Sequence, residues 1–323
     1  MASKGKMASK GKKSASEVSI QVEVKLPSPD EARSLCERAM LVRVAVGGWS
    51  GSGRDQEIVE GLRQQHHAQG QIGVFTKQYI PPTLLAKVNK AVWAARFYHK
   101  AVTLPWGDSG QRLLSTTMFF EYKKKMAAYE RDFALAVDEF IAGYNKAVLE
   151  QKPRLGSLWL AADYPSELAI RARFRFVMLV EPIPTSDDFR VDLSKDESAE
   201  IKREYDAEVR SRMKGAVQVV FAAVQDTVAE LREKLADPDS KIRSSSFSAL
   251  RKLVASLPQL NSIVQDSNIT ALGKKIAEDL LAVPVDAVAH DSRERGKVQR
   301  KADDILAALK PLRQAWLTGD SNA

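Results

Sequence analysis

The chain has 323 residues, of which 44% are hydrophobic and 28% charged, and its formal net charge is +8. This is the composition of an ordinary soluble globular protein with two or three structural units, and no apolar run approaches the roughly 20 residues that cross a bilayer. A single cysteine, Cys36, excludes an intrachain disulfide and a thiolate metal centre.

The N-terminal region is basic. Residues 1–16 contain five lysines and no acidic residue, so five of the eight net positive charges lie there. We expect a disordered tail over 1–16 that solubilises the chain, with weak non-specific contact to nucleic-acid phosphates as the alternative. The N-terminus has no apolar signal region, so we expect a cytoplasmic protein. Residues 17–25 alternate apolar and polar side chains, which predicts a half-buried strand.

The middle of the chain mixes helix and strand signals. Helices are predicted from Pro29 to about Met40, over Asp55–Gln69, after Pro81-Pro82 and over about Phe119–Leu149. The helix after Pro82 carries the apolar residues Leu84, Leu85, Val88, Val92, Trp93 and Ala95. Strands are predicted over Leu41–Trp49, Gly70–Phe75 and about Phe174–Val180.

From Ser194 onward the pattern is helical. A helix on the order of 50 Å long follows, and its densely charged first third is expected to project into solvent or to meet a partner. Asp237-Pro238 predicts its end, and Pro258 interrupts the next helix; further helices are expected over 268–282 and 297–317. The prediction is a mainly helical α+β fold. Its α+β domain, 17–193, has a small, mostly antiparallel sheet with flanking helices, and an all-α bundle or arm spans 194–323.

The residues favour neither catalysis nor metal binding. The loop Gly48–Asp55 resembles a phosphate loop, but Arg54 and Asp55 stand where lysine and serine or threonine are required. The adjacent His66 and His67 point in different directions on a helix, and no acidic residue stands at a metal-ligand spacing from them. We therefore expect no enzymatic activity, no metal and no cofactor.

Three short stretches are candidates for a binding surface. They contain aromatic, acidic and arginine side chains that form interaction hot spots when they converge: Trp106, Asp108, Arg112, Asp163, Tyr164, Asp188, Phe189 and Arg190. The alternative is structural: Trp106 closes the edge of the core, Asp163 caps a helix, and Arg190 pairs with Asp108 or Asp163.

These stretches, TLPWGDSGQRLL, LGSLW followed by DYPS, and FRF followed by PIPTSDDFRV, resemble an uncharacterised protein family of tailed phages and mobile elements. The resemblance covers roughly residues 41–193. It implies genes that are often encoded beside a MoxR-type AAA+ ATPase, similar to the cobaltochelatase small subunit, and beside a protein with a von Willebrand factor A-like domain. The implied role is that of an accessory protein of the ATPase in the cytoplasm of the host cell.

Three functions stay open at this point. The first is a non-enzymatic adaptor that binds the ATPase, with a substrate or scaffold of the ATPase as an equal variant. The second is a nucleic-acid-binding accessory protein of replication or recombination. The third is a hydrolase or chelatase-like enzyme.

Overall fold

The structure is a computed structural model that describes residues 29–107, 109–184 and 195–318. The tail 1–16, the strand predicted over 17–25, and the site residues Asp108, Asp188, Phe189 and Arg190 lie outside these residues. The described chain divides into two compact units. The sheet unit comprises the described residues of 27–220 and 258–265, and the helical unit comprises 221–257 and 266–318. The divisions at 220/221 and 257/258 each fall inside a helix, and the boundary expected between 193 and 194 stays a prediction.

The elements follow in chain order. The strands are β1 (Ala39–Gly47), β2 (Ser52–Arg54), β3 (Thr76–Gln78), β4 (Leu104–Pro105), β5 (Arg112–Ser115) and β6 (Arg175–Glu181). The helices are α1 (Pro29–Arg38), α2 (Gln56–Gln65), α3 (Ala86–Ala101), α4 (Phe119–Leu155), α5 (Glu167–Arg171), α6 (Lys195–Ala236), α7 (Ser248–Val264), α8 (Ser267–Ile276), α9 (Val285–His290) and α10 (Ser292–Thr318). The predicted mainly helical α+β class is confirmed.

The main sheet has the order β4-β5-β1-β6, and every neighbouring pair is antiparallel. The β-branched alternation of β1 suits a central strand, since one face packs on the core while both edges are hydrogen-bonded. Val42, Val44 and Val46 point to the core side. The short strands β2 and β3 form a separate antiparallel pair.

Helices α3 and α4 cover the core side of the sheet. They run antiparallel, because Lys87 near the start of α3 pairs with Glu139, while His99 near its end contacts Tyr122 at the start of α4. Helix α4 buries an apolar stripe whose largest side chains are Tyr122, Phe133, Phe140 and Tyr144.

The helical unit has an apolar core of its own, to which α6, α7, α8 and α10 contribute buried side chains. Arg295 closes one end of α6. Its guanidinium donates to the carbonyl oxygens of Lys234, Leu235, Asp237 and Ser240. Carbonyls at a helix C-terminus have no partner within the helix, so this cation satisfies them and complements the helix dipole.

Two predicted elements were wrong. Gly70–Phe75 is irregular, and the strand begins at Thr76, because the backbone turns at Gly70 and Gly73 with φ of 77° and 150°. Pro258 does not interrupt its helix, since α7 continues through it to Val264. Leu257 and Leu260 are buried on either side of this proline, which indicates that packing outweighs the lost hydrogen bond.

Candidate functional site

The first predicted site stretch forms the β4–β5 hairpin. Trp106 follows β4, its amide donates to the carbonyl of Gln111 at 3.0 Å, and its side chain is only 2% exposed. The guanidinium of Arg212 in α6 lies over the indole, 5.6 Å from the ring centroid. Gly107 has φ of +65°, a conformation that residues with a side chain rarely adopt, so a substitution there would strain the turn even though a Cβ would meet Arg212 only at ordinary contact distance. Trp106 is thus a packed residue of the sheet unit, and its role in binding stays a prediction.

Arg112 belongs to a buried polar network beside this hairpin. It donates to the hydroxyl and carbonyl oxygens of Thr103 at 2.6 and 2.7 Å, and more distantly to the carbonyl of Lys100. Burial lowers the pKa of Arg112. Nearby, His99 Nδ1 lies 2.7 Å from the hydroxyl of Tyr122. Burial, with the charges of Arg112 and Lys100, lowers the pKa of His99 to about 4, so this imidazole is neutral at pH 7.

Asp163 joins a different cluster around Lys77. The Lys77 ammonium lies 2.7 Å from Asp163 Oδ2 and 2.8 Å from Asp55 Oδ2, and it donates to the carbonyl of Leu158 at 3.1 Å. Its side chain is only 3% exposed. Burial acts to lower the pKa of Lys77, but the hydrogen bonds and charges of Asp163 and Asp55 outweigh it and raise this pKa.

This cluster ties β3 to two distant parts of the chain. Asp55 is also the N-cap of α2, where its carboxylate accepts from the amide of Ile58. The hydrogen bond from Lys77 and that from the Ile58 amide lower the pKa of Asp55. A lysine with three oxygen partners has no free lone pair for base chemistry, so the geometry is that of a structural anchor.

Tyr164 lies next to this anchor within a chain of aromatic rings. It stacks on Trp159 with centroids 5.5 Å apart and meets Tyr79 edge-on at 5.9 Å. Tyr79 in turn stacks on Trp49, which meets Tyr144 edge-on. Burial raises the pKa of Tyr164.

The predicted site residues therefore fall into two groups. Trp106 and Arg112 belong to the hairpin, while Asp163 and Tyr164 belong to the Lys77 cluster. Among the residues that the structure describes, no hydrogen bond, ion pair or ring contact joins the two groups. Convergence of the three stretches on one surface stays a prediction.

A surface that the sequence analysis missed lies on α3. Trp93 and Phe97 are 74% and 64% exposed, which is unusual for side chains of this size. Lys90 and Lys100 continue the same face at steps of three, four and three residues, which places all four side chains on one side of a helix. We call these four residues the α3 face. The buried residues Val88, Ala91, Ala95 and His99 occupy the opposite side of the helix.

The charge of the α3 face is unbalanced. Helix α3 contains no acidic residue, and Lys90 and Lys100 form no ion pair within the described part of the chain. Arg96 borders the face and donates weakly to the carbonyl of Val46. The signal present in the sequence is a helix that carries Trp93 and Phe97 among basic residues and contains no Asp or Glu. The sequence analysis listed Trp93 with the other apolar residues of this helix without assigning it to a side.

No protein-family model, curated protein or solved structure matches the chain. The resemblance to the phage family and the partners that it implies stay predictions, and the candidate site rests on the residues themselves.

The remaining features are a cavity beside α2, the arrangement of potential metal ligands and the apolar length of the helices. A cavity of about 760 Å³ lies between α2 and residues 71–75, and Glu57, Glu60, Gln64 and Phe75 help to line it. Within the described ranges no group of three or more His, Cys, Asp or Glu side chains is arranged to hold a metal ion. None of the helices described is long and apolar enough to cross a bilayer.

Proposed function

We propose that this protein is a non-enzymatic accessory protein that binds another protein through the α3 face. The observation that carries the proposal is the pair of exposed aromatic side chains, Trp93 and Phe97, on successive turns of one helix. Their Cα atoms are about 6 Å apart along the helix axis. Aromatic side chains of this kind are the usual anchors of protein interfaces, because each covers a large apolar area with few rotatable bonds.

The charges around Trp93 and Phe97 indicate which surface a partner would need. Lys90 and Lys100 flank the aromatic pair, about 15 Å apart along the axis. A complementary partner presents an apolar pocket with acidic residues around its rim. Rim charges of this kind steer association and select the partner more than they add affinity.

The partner proposed is a MoxR-type AAA+ ATPase, with the von Willebrand factor A-like protein as a further member of the assembly. The family resemblance of the TLPW, DYPS and DFRV stretches supports this choice. The protein would then act in the cytoplasm of the cell that carries the phage or mobile element.

The test begins with capture of the tagged full-length chain from element-bearing cells, with and without ATP, and identification of bound proteins by mass spectrometry. Binding of the purified ATPase is then titrated by calorimetry. Trp93→Ala/Phe97→Ala is expected to raise Kd at least about 30-fold, which corresponds to the roughly 2 kcal/mol of an interface hot spot.

Leu149→Ala is the matched control, because Leu149 is a large, exposed apolar residue of α4 outside the α3 face. Its Kd is expected to stay within a factor of two. Equal affinity for the wild type and the double variant would exclude the α3 face as the docking surface. Failure to recover any AAA+ ATPase would exclude this partner.

A second candidate function is nucleic-acid binding. The same α3 face combines aromatic side chains with lysines, the combination on which single strands stack their bases and place their phosphates. Under this alternative, affinity for an oligonucleotide falls steeply with salt and drops when Lys90 and Lys100 become glutamate. It also drops on deletion of 1–16 if the basic tail contributes. Salt-independent protein binding without oligonucleotide affinity would rule this alternative out.

A further inference from the structure

Among the described strands, β6 forms one edge of the main sheet. All seven of its residues pair with β1, from Arg175 opposite Gly47 to Glu181 opposite Leu41. Within the described residues no strand pairs with the other side of β6. Alternate backbone N–H and C=O groups along this side have no strand partner among the described residues, so a further strand could pair with them.

The sequence of this edge lacks the usual protection against pairing. RFVMLVE contains no proline and no charged residue between its ends, and its pairing with β1 shows no bulge. The opposite edge differs, because β4 has only two residues and one of them is Pro105. A long, apolar edge without these devices is the kind that pairs with another chain.

The side chains of β6 also leave apolar surface uncovered. Phe176 and Met178 face the core but are only partly buried, and Val180 on the same side is 40% exposed. Val177 on the other side is 41% exposed. An additional strand about 4.8 Å from β6 would cover parts of both faces.

We propose that β6 pairs antiparallel with β6 of a second copy of this chain, about a two-fold axis through Met178. The two four-stranded sheets then join into one continuous sheet. This register places Arg175 opposite the partner's Glu181, Phe176 opposite the partner's Val180 and Val177 opposite the partner's Leu179. The interface is isologous, as in most homodimers, since each contact occurs twice.

Charge complementarity selects this register. The only two charged residues of β6 stand at its two ends and have opposite signs, so an antiparallel pairing centred on Met178 satisfies both at once. A shift by one or two residues would place these charges opposite apolar or terminal positions. Arg175 forms no ion pair among the described residues, and Glu181 Oε2 accepts from Gln111 Nε2 at 2.7 Å, which leaves Oε1 for a further donor. Two directly opposite residues of antiparallel strands form either a hydrogen-bonded or a non-hydrogen-bonded pair, and a two-fold axis through Met178 is compatible with both.

The first measurement is the mass of the full-length protein by sedimentation equilibrium over a range of concentrations. A dimer is expected. Arg175→Glu and Glu181→Arg should each raise the dimer Kd at least about tenfold, because each places like charges opposite each other at two symmetric positions. The double variant Arg175→Glu/Glu181→Arg restores opposite signs and should return most of the affinity. A monomeric wild type, or a double variant as weak as the single ones, would overturn the proposal.

A covalent test fixes the register. In a β6–β6 pair centred on Met178 the two Cα atoms of residue 178 are about 4.5–5.5 Å apart, within the range that a disulfide spans. Met178→Cys should give a covalent dimer under mild oxidation. Arg43→Cys is the control, since residue 43 pairs with Leu179 of β6 and therefore lies one strand away from the proposed axis. The wild type reports any contribution of Cys36. Equal crosslinking of Met178→Cys and Arg43→Cys, with unchanged circular dichroism, would contradict this register.

Discussion

Two tryptophans of the sheet unit show opposite environments. Trp106 lies in the TLPW stretch, which reads like an exposed binding loop, yet its indole is buried under Arg212. Trp93 lies in a helix among residues that read like core, yet it is mostly exposed. What differs is the presence of a covering side chain, because Arg212 of α6 lies over Trp106, while Trp93 and Phe97 are mostly exposed.

The same contrast between a covered and an exposed surface occurs within α3. Its buried side contacts α4 through His99 and Val88, whereas the α3 face is open. One helix thus carries a face that maintains the fold and a face that is available to a partner. Substitutions on the two sides should have opposite consequences for stability and binding.

The largest effect is expected from Trp106→Ala. The change removes a buried indole and leaves a cavity, so the free energy of unfolding should fall by about 3–5 kcal/mol. Urea denaturation followed by circular dichroism measures it. Trp106→Phe retains part of the contact with Arg212 and should cost clearly less. A loss below about 1 kcal/mol for Trp106→Ala would mean that the indole is not packed in solution.

The next effect is a dependence on pH. The folded-state pKa of His99 is about 4, against an ordinary value of 6.5. Between these two pH values the unfolded chain binds a proton at His99 and the folded chain does not. The contribution of neutral His99 to the free energy of unfolding is complete above pH 6.5, decreases as the pH falls towards 4, and is lost below pH 4. Its size is at most about 3 kcal/mol.

The measurement is the free energy of unfolding of the wild type and of His99→Gln between pH 7.5 and 4. Glutamine keeps a hydrogen-bonding group near Tyr122 but does not titrate. The difference between the two proteins should therefore shrink or reverse as the pH falls. A constant difference would show that His99 is accessible to protonation in the folded state.

A smaller effect is expected from Arg112→Lys. Lysine keeps the charge but cannot direct two N–H groups at Thr103 and a third at the Lys100 carbonyl. The free energy of unfolding should decrease by about 1–2 kcal/mol. Arg131→Lys, on the exposed side of α4, serves as the control and should leave stability unchanged. Equal results for the two variants would mean that the guanidinium fork contributes nothing.

The smallest effect on stability should come from the α3 face. Trp93→Ala and Phe97→Ala remove side chains that are mostly in water, so each should change the free energy of unfolding by no more than about 0.5 kcal/mol. The same denaturation measurement provides the result. Destabilisation of 2 kcal/mol or more would show that these side chains are covered in the free protein, and the comparison with Trp106 would fail.

Much of the secondary structure could be predicted from local patterns. The strands predicted over Leu41–Trp49 and about Phe174–Val180 correspond to β1 and β6, and the helices predicted over about Phe119–Leu149, after Ser194 and over 297–317 correspond to α4, α6 and α10. Pro258 and residues 70–75 were mispredicted, because burial of neighbouring leucines and the backbone freedom of Gly70 and Gly73 overrode the local signals.

The candidate site was much harder to predict from the sequence. The DYPS stretch gave no sign that Asp163 would meet Lys77, which lies 86 residues earlier in the chain. The exposure of Trp93 could not be inferred from spacing either. Apolar spacing shows which residues share a helix side, but several apolar residues of α3 lie on each side of it.

The sequence by itself determined the helix and strand types, the mainly helical α+β class and the basic charge of α3, because these depend on residues a few positions apart. Only the tertiary structure decided which tryptophan is buried, that Lys77 joins Asp55 to Asp163, and that β6 lies at an edge. Those properties depend on which distant segments pack together. The burial of a side chain is set by the elements that cover it, and no local pattern records them.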